Sequence, residues 1–108
     1  MKIIHLVLSD VFAGIEQHVD ELSLIQEEDC DVTIVCNKSI ASKFSVKNIV
    51  SIENFNRRSL IGLFKLYIKI KSINPDIIHT HGSKTTIVIN TIKAFLKVKH
   101  VASLHGIK

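Results

Sequence analysis

The sequence has little of what marks a boundary between domains. One proline and four glycines in 108 residues, with no Pro-rich or Gly/Ser-rich run, leave nothing that reads as a linker, and the length suits one hydrophobic core. No internal repeat or low-complexity tract is present. No apolar run approaches the roughly 18–20 residues of a membrane span. The apolar start, Met1 to Ser9, is followed at once by polar and acidic residues without a small-residue cleavage site, so it is not expected to be a leader, and the chain is expected in the cytoplasm. There are only two cysteines, Cys30 and Cys36, at a spacing that fits no zinc motif and too few for a structural zinc site. Cys36 closes an apolar run and is expected to be a buried thiol. Aromatic residues, at 6%, are not interleaved with the basic ones. Nor is there a helix-turn-helix, zinc-finger or RNP pattern, so nucleic acid is not expected as a partner.

What is present describes a folded domain. Apolar residues make up 46% and charged residues 22%, too apolar for a disordered chain. The net charge is +4, and the basic excess lies after residue 37, because Asp20 to Asp31 is an acidic stretch. A modest excess of this sign suits phosphate-bearing ligands or an anionic membrane surface.

Lys2 to Leu8 (KIIHLVL) is a nearly continuous apolar run, the pattern of a strand buried on both faces in a parallel sheet. After the turn-like segment Ser9 to Gly14, Ile15, His18, Val19, Leu22 and Ile25 recur at helical spacing. Further strands are expected at Asp31–Cys36, Asn48–Ile52, Asp76–His79 and His100–Leu104. Helices are expected at Ser39–Phe44, at Ser59–Ser72, which Pro75 stops, and at Ser83–Lys97, with Gly82 or Ser83 at its cap. Alternating strands and helices imply right-handed parallel β-α-β units. The expectation is an α/β, three-layer, Rossmann-like open parallel sheet of about five strands in the order 3-2-1-4-5, with residues 1–108 forming one incomplete domain.

Ligands of such sheets bind beyond the carboxyl ends of the strands where the order reverses, here between the first and fourth strands. The loops concerned are Ser9 to Gly14, Thr80 to Lys84 and the segment around His105 and Gly106. Ala13-Gly14-Ile15-Glu16 opens a helix with a glycine, which lets a ligand approach the backbone and its free amides. It is not the G-x-G-x-x-G fingerprint, and Cys36-Asn37 stands where a nicotinamide dinucleotide site would place an acidic residue. A helix start that merely needs a small residue fits equally well. His79 and His81 share a strand face and, with His105 as third ligand, could hold a metal. Hydrogen bonding to hydroxyls and phosphate oxygens by His81, Gly82, Ser83 and Lys84 is the preferred alternative, with His79 in the core and His81 towards the cleft. His105 suits proton transfer or hydrogen bonding, or is an ordinary loop residue. His5, His18 and His100 read as structural. Arg57 and Arg58 before the apolar helix Ser59–Ser72, with Lys65, Lys69 and Lys71, fit either a sheet-covering helix or one lying on anionic lipid.

Together the opening M-K-I-I-H-L, G-x-E-x-H-V at Gly14 to Val19, P-D-I-I-H-T-H at Pro75 to His81 and the strand ending in His105-Gly106 resemble the N-terminal, acceptor-side domain of glycosyltransferase family 4, of GT-B architecture. The resemblance runs over the whole chain. It implies a retaining transfer of sugar from a nucleotide-sugar to a lipid-linked or surface-polysaccharide acceptor, at the membrane periphery, with no metal and no cofactor beyond the donor substrate. It maps Gly14 to the donor phosphates and acceptor, His105 to the transferred sugar, and His81 to the cleft. The family's paired glycines are here Ala13-Gly14, which affects how closely donor phosphates approach. The donor-binding second domain, with its basic pair and Glu-x7-Glu segment, has no counterpart in the sequence, so the chain is expected to be inactive alone. An unpaired fifth strand is expected to invite an edge-to-edge dimer. A stand-alone flavodoxin-like binding domain without catalysis is the alternative, and a nicotinamide or flavin fold is a third.

Overall fold

A computed structural model describes residues 1–9, 12–52, 60–92 and 98–103, without the side chains of Leu60, Ser83, Lys84, Thr91, Ile92 and Ser103. In chain order the elements are β1 (Lys2–Val7), α1 (Gly14–Gln26), β2 (Asp31–Asn37), α2 (Lys38–Ala41), β3 (Asn48–Ile52), α3 (Leu60–Ile73), β4 (Ile77–His81), α4 (Ser83–Ile92) and β5 (Lys99–Ser103). All strands are parallel and the order is β3-β2-β1-β4-β5. The α/β open sheet expected from the alternation of elements is therefore the fold.

Both faces of the sheet are buried at β1 and β2, which is why β1 reads as an unbroken apolar run. On one face Ile4, Leu6, Leu8, Val35, Ile52 and Ile78 pack under α3 and α4, with Leu66, Ile70, Val88 and Ile89. On the other, Val7, Ile34 and Cys36 meet Val19 of α1, Ile40 of α2, and Phe44 and Val46. Burial pushes the Cys36 thiol up to about 11, as befits a cysteine that serves as a small core residue.

Two helices depart from their sequence pattern. In α1 the residues turned inward include Glu16, Asp20 and Ser23 beside Val19, while Ile25 is 68% exposed. The apolar spacing alone predicted Ile15, His18, Val19, Leu22 and Ile25 on that side. Val19 is buried as that spacing predicts and Ile15 packs beside it, and the polar residues join them because directed hydrogen bonds hold them: Asp20 Oδ1 accepts from the Ser45 amide at 2.8 Å, and Glu16 and Gln26 are likewise engaged. In α3 the core side is Leu66 and Ile70, with Leu63, Tyr67 and Ile73 packed against it. A second apolar stripe, Ile61, Phe64 and Ile68, lies on the opposite side at 69%, 62% and 48% exposure.

The end of α3 shows its cause. Asn74 takes the left-handed conformation (φ 54°) that closes helices, and its amide donates to the Ile70 and Lys71 carbonyls. Pro75 follows and β4 begins two residues later. That strand continues to His81, two residues past the end expected from the sequence, because pairing with β1 carries it to Thr80 and pairing with β5 to His81.

Candidate functional site

The carboxyl ends of β1 and β4 lie side by side at the centre of the sheet, so the reversal of strand order falls between them. The loop leaving β1 is fixed from two directions. Asn37, at the end of β2, donates its side-chain amide to the Leu8 carbonyl at 2.8 Å and the Ser9 carbonyl at 3.0 Å. From the other side, Glu16 accepts the Ser9 hydroxyl on Oε2 at 2.7 Å and the Ala13 amide on Oε1 at 2.8 Å. The second bond is the return half of a capping box, reaching from the third helical position to the cap residue. Both carboxylate oxygens of Glu16, a residue placed among the ligand-binding candidates by sequence, thus hold the loop against the start of α1.

That arrangement leaves Ala13 and Gly14 exposed at the helix start. A Cβ built on Gly14 meets nothing within 4 Å, so no packing demand explains the glycine. The first-turn amides of a helix have no intrahelical acceptor and sit at the positive end of its dipole. The opening at Gly14 therefore offers N–H donors, with room for an anion to approach.

The loop after β4 is built differently. Gly82 has φ 92°, a conformation that side chains disfavour, and its carbonyl accepts both the Thr86 amide at 3.1 Å and the Thr86 hydroxyl at 2.9 Å. Thr80 Oγ1 lies 3.0 Å from Thr86 Oγ1 and 2.9 Å from His100 Nε2, tying the end of β4 to α4 and β5. Ser83 and Lys84 open α4, but their side chains lie outside the described residues, as do His105 and Gly106 entirely.

The histidines are arranged otherwise than the sequence indicated. His81, expected towards the cleft, is 4% exposed, whereas His79, expected in the core, is half-buried. Because β4 runs on to His81, both point to the α1 face, where they meet a residue the sequence reading left as structural. His5 is the direct β1 partner of His79, and its Nδ1 lies 2.9 Å from His81 Nε2. Its Nε2 lies 2.6 Å from Gln26 Oε1 on α1. Burial holds the His5 pKa below its ordinary value, and the bond to Gln26 opposes this in part. Among the described residues the third histidine beside His79 and His81 is thus His5; His105, the third ligand suggested from the sequence, lies outside them. Only strand register brings His5 there.

Two comparisons with known proteins bear on this site. The family description Glycosyltransferase Family 4 matches residues 12–108. A curated Escherichia coli protein, UDP-Gal:alpha-D-GlcNAc-diphosphoundecaprenol alpha-1,3-galactosyltransferase, is 32% identical over 102 residues, which cover 82% of this chain and 25% of that protein. The chain therefore spans about a quarter of the length of that relative.

Proposed function

The chain belongs to glycosyltransferase family 4, and from that premise we propose that it forms the acceptor-side wall of a retaining sugar transferase of GT-B architecture. The observation that carries this is the open start of α1 at Gly14, held in place by Glu16 and Asn37 at the point where strand order reverses. The amides there would receive the phosphates of a nucleotide-sugar or of a diphosphate-linked acceptor. Ala13 and Gly14 form the approach, with Glu16 beneath them. Gly82, Ser83 and Lys84 supply the facing loop, with His81 at its base. His105 and Gly106 meet the transferred sugar. The nucleotide-sugar is a substrate, and no metal or other cofactor takes part in the transfer.

The acceptor is of the lipid-linked kind, as the name of the Escherichia coli relative states for that protein. On this reading the work is done at the cytoplasmic face of a membrane, in polysaccharide or cell-envelope synthesis. The outer stripe of α3 supports that location. Ile61, Phe64 and Ile68 are exposed on the side away from the core, and Lys65, Lys69 and Lys71 flank them. An apolar ridge edged with lysines suits the boundary between acyl chains and anionic headgroups. No described helix is long and apolar enough to cross a membrane.

The test is transfer of labelled galactose from UDP-galactose to a GlcNAc-diphospholipid. It would use the chain alone and the chain fused to the remainder of the Escherichia coli relative. The chain alone is expected to be silent and the fusion active, with Gly14→Val lowering the fusion's rate at least 10-fold while leaving its thermal midpoint unchanged. A folded fusion that transfers no sugar from any nucleotide donor would sink the proposal.

A further inference from the structure

Three imidazoles converge at the end of β4 on the face that α1 covers. One ring nitrogen from each of His5, His79 and His81 lies within 4.8 Å of the other two. The His79 and His81 rings stack at 4.1 Å between centroids, and His5 stands 5.1 Å from His79. With its Nε2 proton donated to Gln26 Oε1 at 2.6 Å, neutral His5 keeps its lone pair on Nδ1, which faces His81 Nε2 at 2.9 Å.

We propose that His5 Nδ1, His81 Nε2 and one ring nitrogen of His79 bind a divalent transition metal ion of the zinc type, with Gln26 as its outer partner. Imidazole donors suit zinc, copper and nickel, while a ligand set without oxygen excludes magnesium and calcium. Three nitrogens with a fourth position left for water make an established tetrahedral arrangement. The distances are close to what it needs. Bonds of about 2.0–2.1 Å in a tetrahedron set ligand nitrogens roughly 3.3 Å apart. The 2.9 Å pair would open by a few tenths of an ångström, and the looser pairs would close by ring rotation.

The outer contact is also of the right kind. Histidines that ligate metals usually pass their second N–H to an oxygen that fixes the tautomer, as His5 does with Gln26. Binding needs no net loss of a proton from the three rings. Each ring would bind as a neutral imidazole, His81 in the tautomer whose lone pair is on Nε2. The ion would tie β1, β4 and α1 together just beneath the cleft. It would take no part in the transfer, so the site stands or falls apart from that proposal.

The measurement is a zinc titration of untagged, chelator-treated chain against a chromophoric competitor, repeated with cobalt, whose visible spectrum reports tetrahedral nitrogen ligation. One ion per chain at micromolar affinity or tighter is expected, with a rise in thermal midpoint. His79→Gln and His81→Gln should each weaken binding at least 10-fold, and Gln26→Leu about 10-fold. His79 is half-buried, so its variant keeps the test valid if changes at buried His5 unfold the chain. Cys30→Ser should leave binding unchanged. Affinity weaker than millimolar, or affinity equal in the histidine variants and the parent, would overturn the proposal. No sugar or nucleotide enters the assay, so its outcome is separate from that of the transfer test.

Discussion

Helices α1 and α3 cover opposite faces of the same sheet and are attached to it in opposite ways. The inward side of α1 carries Glu16, Asp20, Ser23 and Gln26 around one fully buried aliphatic residue, Val19. Three of these polar residues reach out to fixed partners: the loop after β1, the Ser45 amide and His5. The inward side of α3 is Leu66 and Ile70, fully buried among aliphatic neighbours. Burial of apolar area is strong but has no direction, whereas a hydrogen bond is weaker in net terms and fixes an angle. So α3 supplies cohesion, and α1 sets the geometry of the loop and of the histidines.

The largest effect should come from the α3 side. Leu66→Ala removes a fully buried side chain and should cost about 2–5 kcal/mol in denaturant unfolding. A loss under 1 kcal/mol would mean that α3 is not the cohesive element. Glu16→Ala should cost less, about 1–2 kcal/mol, since it removes a cap contact and the tie to Ser9. It should nevertheless impair ligand binding at Gly14 more than Leu66→Ala does at equal folded fraction, and calorimetry with a nucleotide-sugar would decide this.

A smaller, pH-dependent difference should mark the α1 face. His5 has a folded-state pKa below 6.5 because burial disfavours its charged form. Above that value both folded and unfolded chains keep it neutral. As pH falls through it, the unfolded chain gains the proton first, so stability declines towards the folded-state pKa. With metal chelated, a His5→Asn variant should show a flatter decline below pH 6.5 than the parent. Parallel curves would remove His5 as the source. The smallest change in stability should come from the outer stripe of α3. Ile61→Ser with Phe64→Ser is expected to stay within about 0.5 kcal/mol of the parent, yet to reduce co-sedimentation with anionic vesicles several-fold. Unchanged vesicle binding would detach that stripe from any membrane role.

The sheet was legible because its determinants are local. An apolar run such as Lys2 to Leu8 needs cover on both faces, and the alternation of elements admits few connections. The same logic placed Gly14 and the loop after β4 at the reversal point. What could not be read locally depends on neighbours distant in sequence. The spacing in α1 placed Val19 and Ile15 against the core but missed Glu16, Asp20 and Ser23 beside them, since Ser45 and the loop after β1, which hold that polar face, lie elsewhere in the chain. His-Thr-His carries no strand signature, and β4 reaches His81 through its pairing with Ser103 of β5. His5 and His79 stand 74 residues apart and meet through register alone. In α3 the apolar residues were evident, but two stripes on opposite sides look in sequence like one broad face.

The two glycines beside the cleft give a way to separate folding from function by substitution alone. At Gly82 the backbone itself resists a side chain, so even alanine there should lower the yield of folded protein. At Gly14 neither backbone conformation nor neighbouring atoms resist one. A library of variants of the fusion at these positions, sorted first for solubility and then for sugar transfer, should therefore split. Position 82 would be depleted in the first sort. Position 14 would pass it freely and be depleted only in the second, which is the signature of a residue kept small for something other than the protein.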